Sequence, residues 1–371
     1  MPSRFSLFVT VIVLSGCAEP TLESTVNIQM LNARVQALGD SLISPGDTCT
    51  RIHHLWRDQL RLSLSQAGRS SRQRRAAFID SVYRPHRDFW DGYVGGEDEF
   101  TRRVARRWVD LEHDPRASIP VDVDVAGLIV ETNRVAAALA GRSPRCADWY
   151  LIYGPGMANM GGLSSGEMLV DFFGFSDSEQ DLRIYVPHEA AHVLYGGRRA
   201  DPQDGTLLSS MLSEGFATYF SVLFHAGTVS PAGALGYSAQ EWDWAVENER
   251  ALWDIVKADL DSRDEDLIRR FRAAGERVRP DAPGKIGYFI GYRILESYVR
   301  RHGTESWADF FELPLRDILS RSGYPDAGSA TGPMPGTPAG ARVAQPAGTS
   351  CDIDDVRPCR DPVAIVCCAL E

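Results

Sequence analysis

Lysine is nearly missing from this chain. Lys257 and Lys285 are its only lysines, and arginine supplies the rest of the basic charge. Acidic residues still prevail, leaving a net charge of -11. That balance excludes a surface built to neutralise nucleic-acid phosphates, so no nucleic-acid partner is expected. Long apolar runs are also scarce. The stretch 5–14 is apolar and follows Arg4, but it has the length of a signal-peptide core and is too short to span a bilayer. No other run reads as a spanning helix. The cysteines near the carboxyl end, Cys351, Cys359, Cys367 and Cys368, show no CxxC spacing and have no histidine among them. This argues against a metal site in the tail.

What is present is concentrated in five residues, His188-Glu189-Ala190-Ala191-His192. Histidines four apart lie on one face of a helix, one turn from each other. Their imidazoles can converge on one metal ion. Glu189 points to the neighbouring face, where it can reach a water on that ion without being a ligand. The run 182–186 reads as a strand leading into the pentad.

A zinc site needs a third protein ligand and an open fourth position. Glu214 is the candidate. It stands alone in the apolar, helix-like run 211–220, where an unpaired carboxylate is costly. Metal ligation resolves that cost, and an ion pair with an arginine is the alternative. Gly215 beside it removes a side chain where a helix must approach closely.

An HExxH helix followed by a second helix with Glu-Gly-x-Ala resembles the gluzincin metallopeptidases, the superfamily of thermolysin and the zinc aminopeptidases. Ser213-Glu214-Gly215-Phe216-Ala217 is close to the aminopeptidase form, which has Asn before the glutamate. A third element, Gly284-Lys285-Ile286-Gly287-Tyr288-Phe289-Ile290-Gly291-Tyr292, adds a similarity to a bacterial group of zinc-dependent proteases inferred from sequence. The resemblance covers about 149–298. It implies that His188, His192 and Glu214 bind one catalytic Zn²⁺ and that Glu189 is the general base. The ion would activate a water and polarise the scissile carbonyl. It also implies a downstream tyrosine as oxyanion donor. Tyr288 and Tyr292 are one turn apart on a shared face, as are Gly287 and Gly291. Tyr288 is the choice, and packing is the alternative role for each tyrosine. Thr218, one turn after Glu214, is a candidate to orient the imidazoles.

One departure from the aminopeptidases stands out. Their Gly-x-Met-Glu-Asn segment holds the substrate amine, whereas this chain has Gly156-Met157-Ala158-Asn159-Met160 with no glutamate. Downstream, 167–173 reads as a strand, and 169–172 is the candidate edge for pairing with an extended peptide. An interior strand with no substrate role is the alternative.

Leu14-Ser15-Gly16-Cys17 resembles the bacterial lipobox, which implies lipidation at Cys17 and a bilayer anchor. Ala18 after the cysteine favours outer-membrane sorting. Export permits disulfides. Cys49 with Cys146 is one candidate bridge, although spacing does not fix connectivity. Arginines crowd 57–107 as a solvated helix face or a contact for anionic lipid.

The expected fold is α+β and mostly helical, a zincin-like domain with a small sheet over the active-site helix. The expected organisation is a signal peptide at 1–16, a tether and helical region at 17–141, a catalytic unit at 142–323, a flexible linker at 324–350 and a Cys-rich tail at 351–371. Phe100, Val104, Trp108 and Leu111 form an apolar stripe, with Trp56 and Trp90 in the same core. His53, His54, His86 and His113 lack ligand spacing and read as surface or capping residues. Helices are expected at 240–257, 264–274, 285–301 and 307–319. The expectation is therefore a lipid-anchored zinc metallopeptidase acting on peptide or protein substrates in the cell envelope. An exopeptidase and a zinc-stabilised, non-catalytic peptide-binding lipoprotein are the alternatives.

Overall fold

Strand β1 (Arg51–His53) pairs in parallel with β2 (Asp148–Ile152), with Ile52 opposite Trp149. This pairing crosses the expected boundary at 141, so the amino-terminal helices and the catalytic unit share one sheet. The computed structural model describes residues 50–66, 68–106, 108, 123–154, 160–163, 166–174, 179–225 and 228–326. All of them fall within one compact unit. The remaining strands are β3 (Met160–Gly162) and β4 (Met168–Asp171), and the sheet order is β1-β2-β4-β3. β4 lies parallel to β2 and antiparallel to β3. The expected edge at 169–172 is therefore corrected. Every residue of β4 is buried between two neighbours, and the edges are β1 and β3.

Helices α1 (Leu55–Ser65), α2 (Ser71–Phe78), α3 (Arg87–Val94), α4 (Glu97–Phe100) and α5 (Val125–Leu139) lie between β1 and β2 in the chain, the long crossover that a parallel pair requires. Trp56, Trp90, Phe100, Val104 and Trp108 are buried as expected, around the inner face of the sheet. Buried Gln59 exchanges two 3.0 Å hydrogen bonds with the backbone of Tyr153. Trp108 donates to the same Tyr153 carbonyl at 2.7 Å. These bonds satisfy main-chain groups just past the end of β2.

The second half is helical. Helix α6 (Glu179–Tyr195) carries the pentad, and α7 (Leu207–Phe224) carries Glu214. Then follow α8 (Pro231–Leu235), α9 (Ala239–Glu247), α10 (Glu249–Val256), α11 (Glu265–Arg272), α12 (Ile286–His302), α13 (Asp309–Glu312) and α14 (Leu315–Ser322). Two expected helices are each split. Asn248 breaks 240–257, where its side chain donates to the Trp244 carbonyl at 2.8 Å. Pro314 interrupts 307–319 in an extended conformation. The expected linker start at Tyr324 is also corrected. That ring is 7% exposed and meets Trp253 edge-on at 5.2 Å. The rest of the linker, apart from Pro325 and Asp326, lies outside the described residues, as does the tail.

Helix α7 is long and apolar enough to cross a membrane by length and composition, contrary to the sequence expectation, but 67% of it is buried in this fold. It crosses α12 at a glycine pair. A Cβ on Gly291 would sit 1.8 Å from the Met211 carbonyl oxygen, and one on Gly215 would sit 2.2 Å from the Gly291 carbonyl carbon. Only glycine permits backbones this close. Helix α6 separates two cores. Leu182, Val186 and Ala190 face the sheet, while Ala191, Leu194 and Tyr195 join the helical core.

Candidate metal centre

The run 182–186, expected as a strand, is the first half of α6. Its buried residues Leu182, Val186 and Ala190 recur every four positions, a helical period that packing against the sheet rewards. Pro187 sits inside this helix. A proline has no N–H for the carbonyl four residues back and crowds that turn. Here the end of α7 supplies the missing donor and adds a second bond to this turn. His225, just beyond α7, bonds the Arg183 carbonyl through Nε2 at 2.9 Å, and Ser221 donates to the Ile184 carbonyl at 3.0 Å. The same side of α7 carries Glu214 two turns earlier. The two helices therefore run antiparallel and are bonded at both ends of their contact.

At the pentad end, Glu214 Oε2 lies 3.4 Å from His188 Nε2 and 3.2 Å from His192 Nε2. The candidate ligand atoms of these residues lie within 4.8 Å of one another. Charge-assisted N–H···O bonds prefer about 2.7–2.9 Å. A tetrahedron with metal–ligand bonds of about 2.0–2.2 Å has edges of about 3.4 Å. One carboxylate oxygen facing two imidazole nitrogens at these distances suits a shared cation better than two hydrogen bonds. His188 and Glu214 are buried, and His192 is partly open to the cleft.

The charges agree. Burial pushes the Glu214 carboxyl up, but His192 and His188 outweigh it and hold the group well below the usual carboxylate range. Burial pulls the His192 imidazole down, and the Glu214 carboxylate more than reverses that. The cluster thus attracts positive charge. His192 Nδ1 meets Ser213 Oγ at 3.1 Å, which fixes the ring. Thr218, the residue expected in that role, donates instead to the Glu214 carbonyl at 2.8 Å, a bond within its own helix. Ser213 was readable only as the residue standing where aminopeptidases have Asn.

Tyr288 and Tyr292 separate clearly. The Tyr288 ring stacks on His188 with centroids 5.9 Å apart, and the residue lines the cleft. Burial, then Glu214 and Glu189, raise its phenol well above the ordinary value. It therefore stays protonated and able to donate. Tyr292 is fully buried among other side chains, and its hydroxyl donates to Glu296 Oε1 at 3.1 Å. It is a packing residue.

Glu189, His192, Ser213, Glu214 and Tyr288 share one cleft of about 630 Å³. The edge strand β3 and Leu163 form part of its wall. Sequence reasoning gave no site role to two cations. Arg272 Nε approaches Glu214 Oε1 to 3.9 Å. Lys285, with φ of 56°, opens α12 and bonds the Leu235 carbonyl at 3.1 Å, over the faces of Tyr185 and Tyr288. Neither has a spacing that would expose it in the sequence. Cys17, Cys49 and residues 155–159 lie outside the described residues. Cys146 lines the cleft and is disulfide-bonded to a residue also outside them.

Residues 182–326 are similar to a family described as Gliding motility protein GldB. The matched stretch is well under half of the chain and contains His188, Glu189, His192, Glu214 and Tyr288. The family's designation as a lipoprotein agrees with the lipobox-like segment ending at Cys17. No curated protein and no solved structure matches the chain.

Proposed function

We propose that this protein is an envelope lipoprotein, anchored through Cys17, that acts as a zinc-dependent metallopeptidase. The observation that carries the reading is the single Glu214 oxygen at 3.2 and 3.4 Å from two imidazole nitrogens. The donor set is right for zinc, two imidazoles and one carboxylate. A helix bearing the pentad beneath a small sheet with a free edge also fits a zincin-like domain.

When bound, zinc supplies a Lewis acid that makes water acidic near neutral pH and polarises a carbonyl. The chain's own residues do the rest. The Glu189 carboxylate takes the proton of the attacking water and passes it to the leaving amine nitrogen. The Tyr288 hydroxyl donates to the carbonyl oxygen as that oxygen gains charge. Ser213 keeps the His192 ring in place. The backbone of β3 pairs with an extended peptide and presents the bond to be cut. Internal cleavage is favoured over release of terminal residues, because 156–160 lacks the glutamate that would hold a substrate amine. The protein acts at the outer membrane, facing the periplasm or the cell surface.

Metal analysis of a form lacking residues 1–17, joined to cleavage of a peptide library, tests the proposal. Wild-type protein should hold one zinc and cleave. Glu189→Gln should keep the zinc and lose roughly 10²–10⁴-fold in rate. A second reading is favoured by the resemblance to a family described as a motility protein. In it, zinc braces a groove that binds a partner without chemistry. Stoichiometric zinc with no cleavage of any library member would select that reading.

A further inference from the structure

The glycine-rich element of α12 has a role that the peptidase reading leaves unused. A Cβ on Gly284 would sit 2.1 Å from the Ala274 carbonyl oxygen, and one on Gly287 would sit 3.1 Å from the Phe271 carbonyl oxygen. The backbone on either side of Arg272 therefore lies directly against the start of α12. Buried Phe271 anchors it, and Lys285 N–H bonds the Ala273 carbonyl at 3.3 Å. Arg272, held between these contacts, is brought to the mouth of the cleft beside Glu214 and Tyr288.

Its side chain is 57% exposed, and its contact with Glu214, at 3.9 Å, is too long for a hydrogen bond. Arg145 lines the same cleft, lying along the last turn of α6 near the Val193 carbonyl. Among the described residues lining the cleft, Glu189 and Glu214 are the acids. A divalent cation on Glu214 would neutralise that carboxylate and leave surplus positive charge around the opening. This stands out in a chain of net charge -11. Guanidinium groups in an open cleft recognise carboxylates by paired N–H donors.

We infer that Arg272 is a substrate-binding residue and that the cleft, with Arg145 as a second cation, takes peptides bearing a carboxylate next to the cut bond. The carboxylate is that of an Asp or Glu side chain or of the peptide's own carboxyl terminus. The inference rests on the metallopeptidase reading for the placement of the cut bond, but not for the recognition itself.

Zinc-loaded full-length protein in detergent is titrated with peptides in matched pairs. One set differs by Asp against Asn at each position, and the other by a free against an amidated carboxyl terminus. Affinity is read by calorimetry at low and high salt, and cleavage of the same peptides is followed separately. The carboxylate member of one set should bind roughly tenfold tighter, the gain expected of a charge-assisted pair, and salt should reduce the gap. Arg272→Gln should erase the difference, and Arg272→Lys should restore part of it. Zinc content and melting temperature show that the variants are folded. Preference within the Asp set assigns a side-chain pocket, and preference within the terminal set assigns a terminal-carboxylate site. Equal affinity within all pairs, no peptide binding at all, or a preference unchanged in Arg272→Gln overturns the inference. Selective binding without cleavage leaves it standing and removes the peptidase reading; cleavage without selectivity does the reverse.

Discussion

Among the described residues, two clusters pair histidines with a carboxylate, and their geometries diverge. At the β1–β2 end of the sheet, His53 Nε2 lies 3.1 Å from Asp148 Oδ1, and His86 meets His53 edge-on at 5.7 Å. At the α6–α7 contact, His188 and His192 share one oxygen of Glu214. The difference lies in what else each carboxylate has. Arg51 sits 2.5 Å from the other Asp148 oxygen, so that anion is already balanced at the surface. The His53 ring is spent stacking on Tyr150 at 4.4 Å. Glu214 is buried, its nearest guanidinium is 3.9 Å away and Lys285 acts on it only through space, and both imidazoles turn the same nitrogen toward it. Residue types alone do not make a candidate metal site. A shortage of nearer countercharge and convergence on a point do.

The sharpest way to break this contrast is a matched pair of substitutions. Glu214→Ala should weaken zinc binding well beyond the roughly 10–100-fold typical of an orienting partner, measured by competition with a chelator. Asp148→Ala should leave it unchanged. Equal losses would erase the distinction between the clusters. Next in size is Gly291→Ala, which should destabilise the fold by about 3 kcal/mol, read as a shift in the urea midpoint. The added methyl has nowhere to go between α7 and α12. Ser213→Ala should then lower zinc affinity by roughly tenfold without moving the melting temperature of the apoprotein, while His86→Ala should change neither.

An effect of similar size separates the histidines by pH. Burial, aided by Arg57, brings His54 down to about 4. Both its ring nitrogens are buried without a hydrogen-bond partner. Unfolded, the same ring titrates near 6.5. Between those values the unfolded chain binds the extra proton, so stability is full above about pH 6.5 and falls as pH drops toward 4. Allowing for partial solvent screening, the loss is about 1–2 kcal/mol. His54→Leu should flatten the stability profile across that window.

Much of the centre was legible in the sequence because helical spacing converts directly into geometry. Histidines four apart and a lone carboxylate in an apolar run suffice to bring His188, His192 and Glu214 together. Spacing places Tyr288 and Tyr292 on one face and does not choose between them; the structure separates them by the hydrogen bond that ties Tyr292 to Glu296. What failed was everything set by tertiary context. The strand reading of 182–186 ignored that Leu182, Val186 and Ala190 pack against the sheet every four residues, which rewards a helix despite Ile184 and Val186. The edge strand was misplaced because sheet order depends on crossovers, and β4 enters between β2 and β3. Arg272 left no trace, since only the backbone contacts at Gly284 and Gly287 bring it to the cleft.

Pro187 has one more consequence. A helix with an interior proline would ordinarily hinge there, yet the carbonyls it disturbs are bonded by Ser221 and His225 on the glutamate-bearing partner. The two helices are thus riveted into one rigid cassette. The geometry of the centre should be set before any cation arrives, so that stripping the ion leaves the shape intact. A designer wishing to transplant this centre must move both helices together, rivets included.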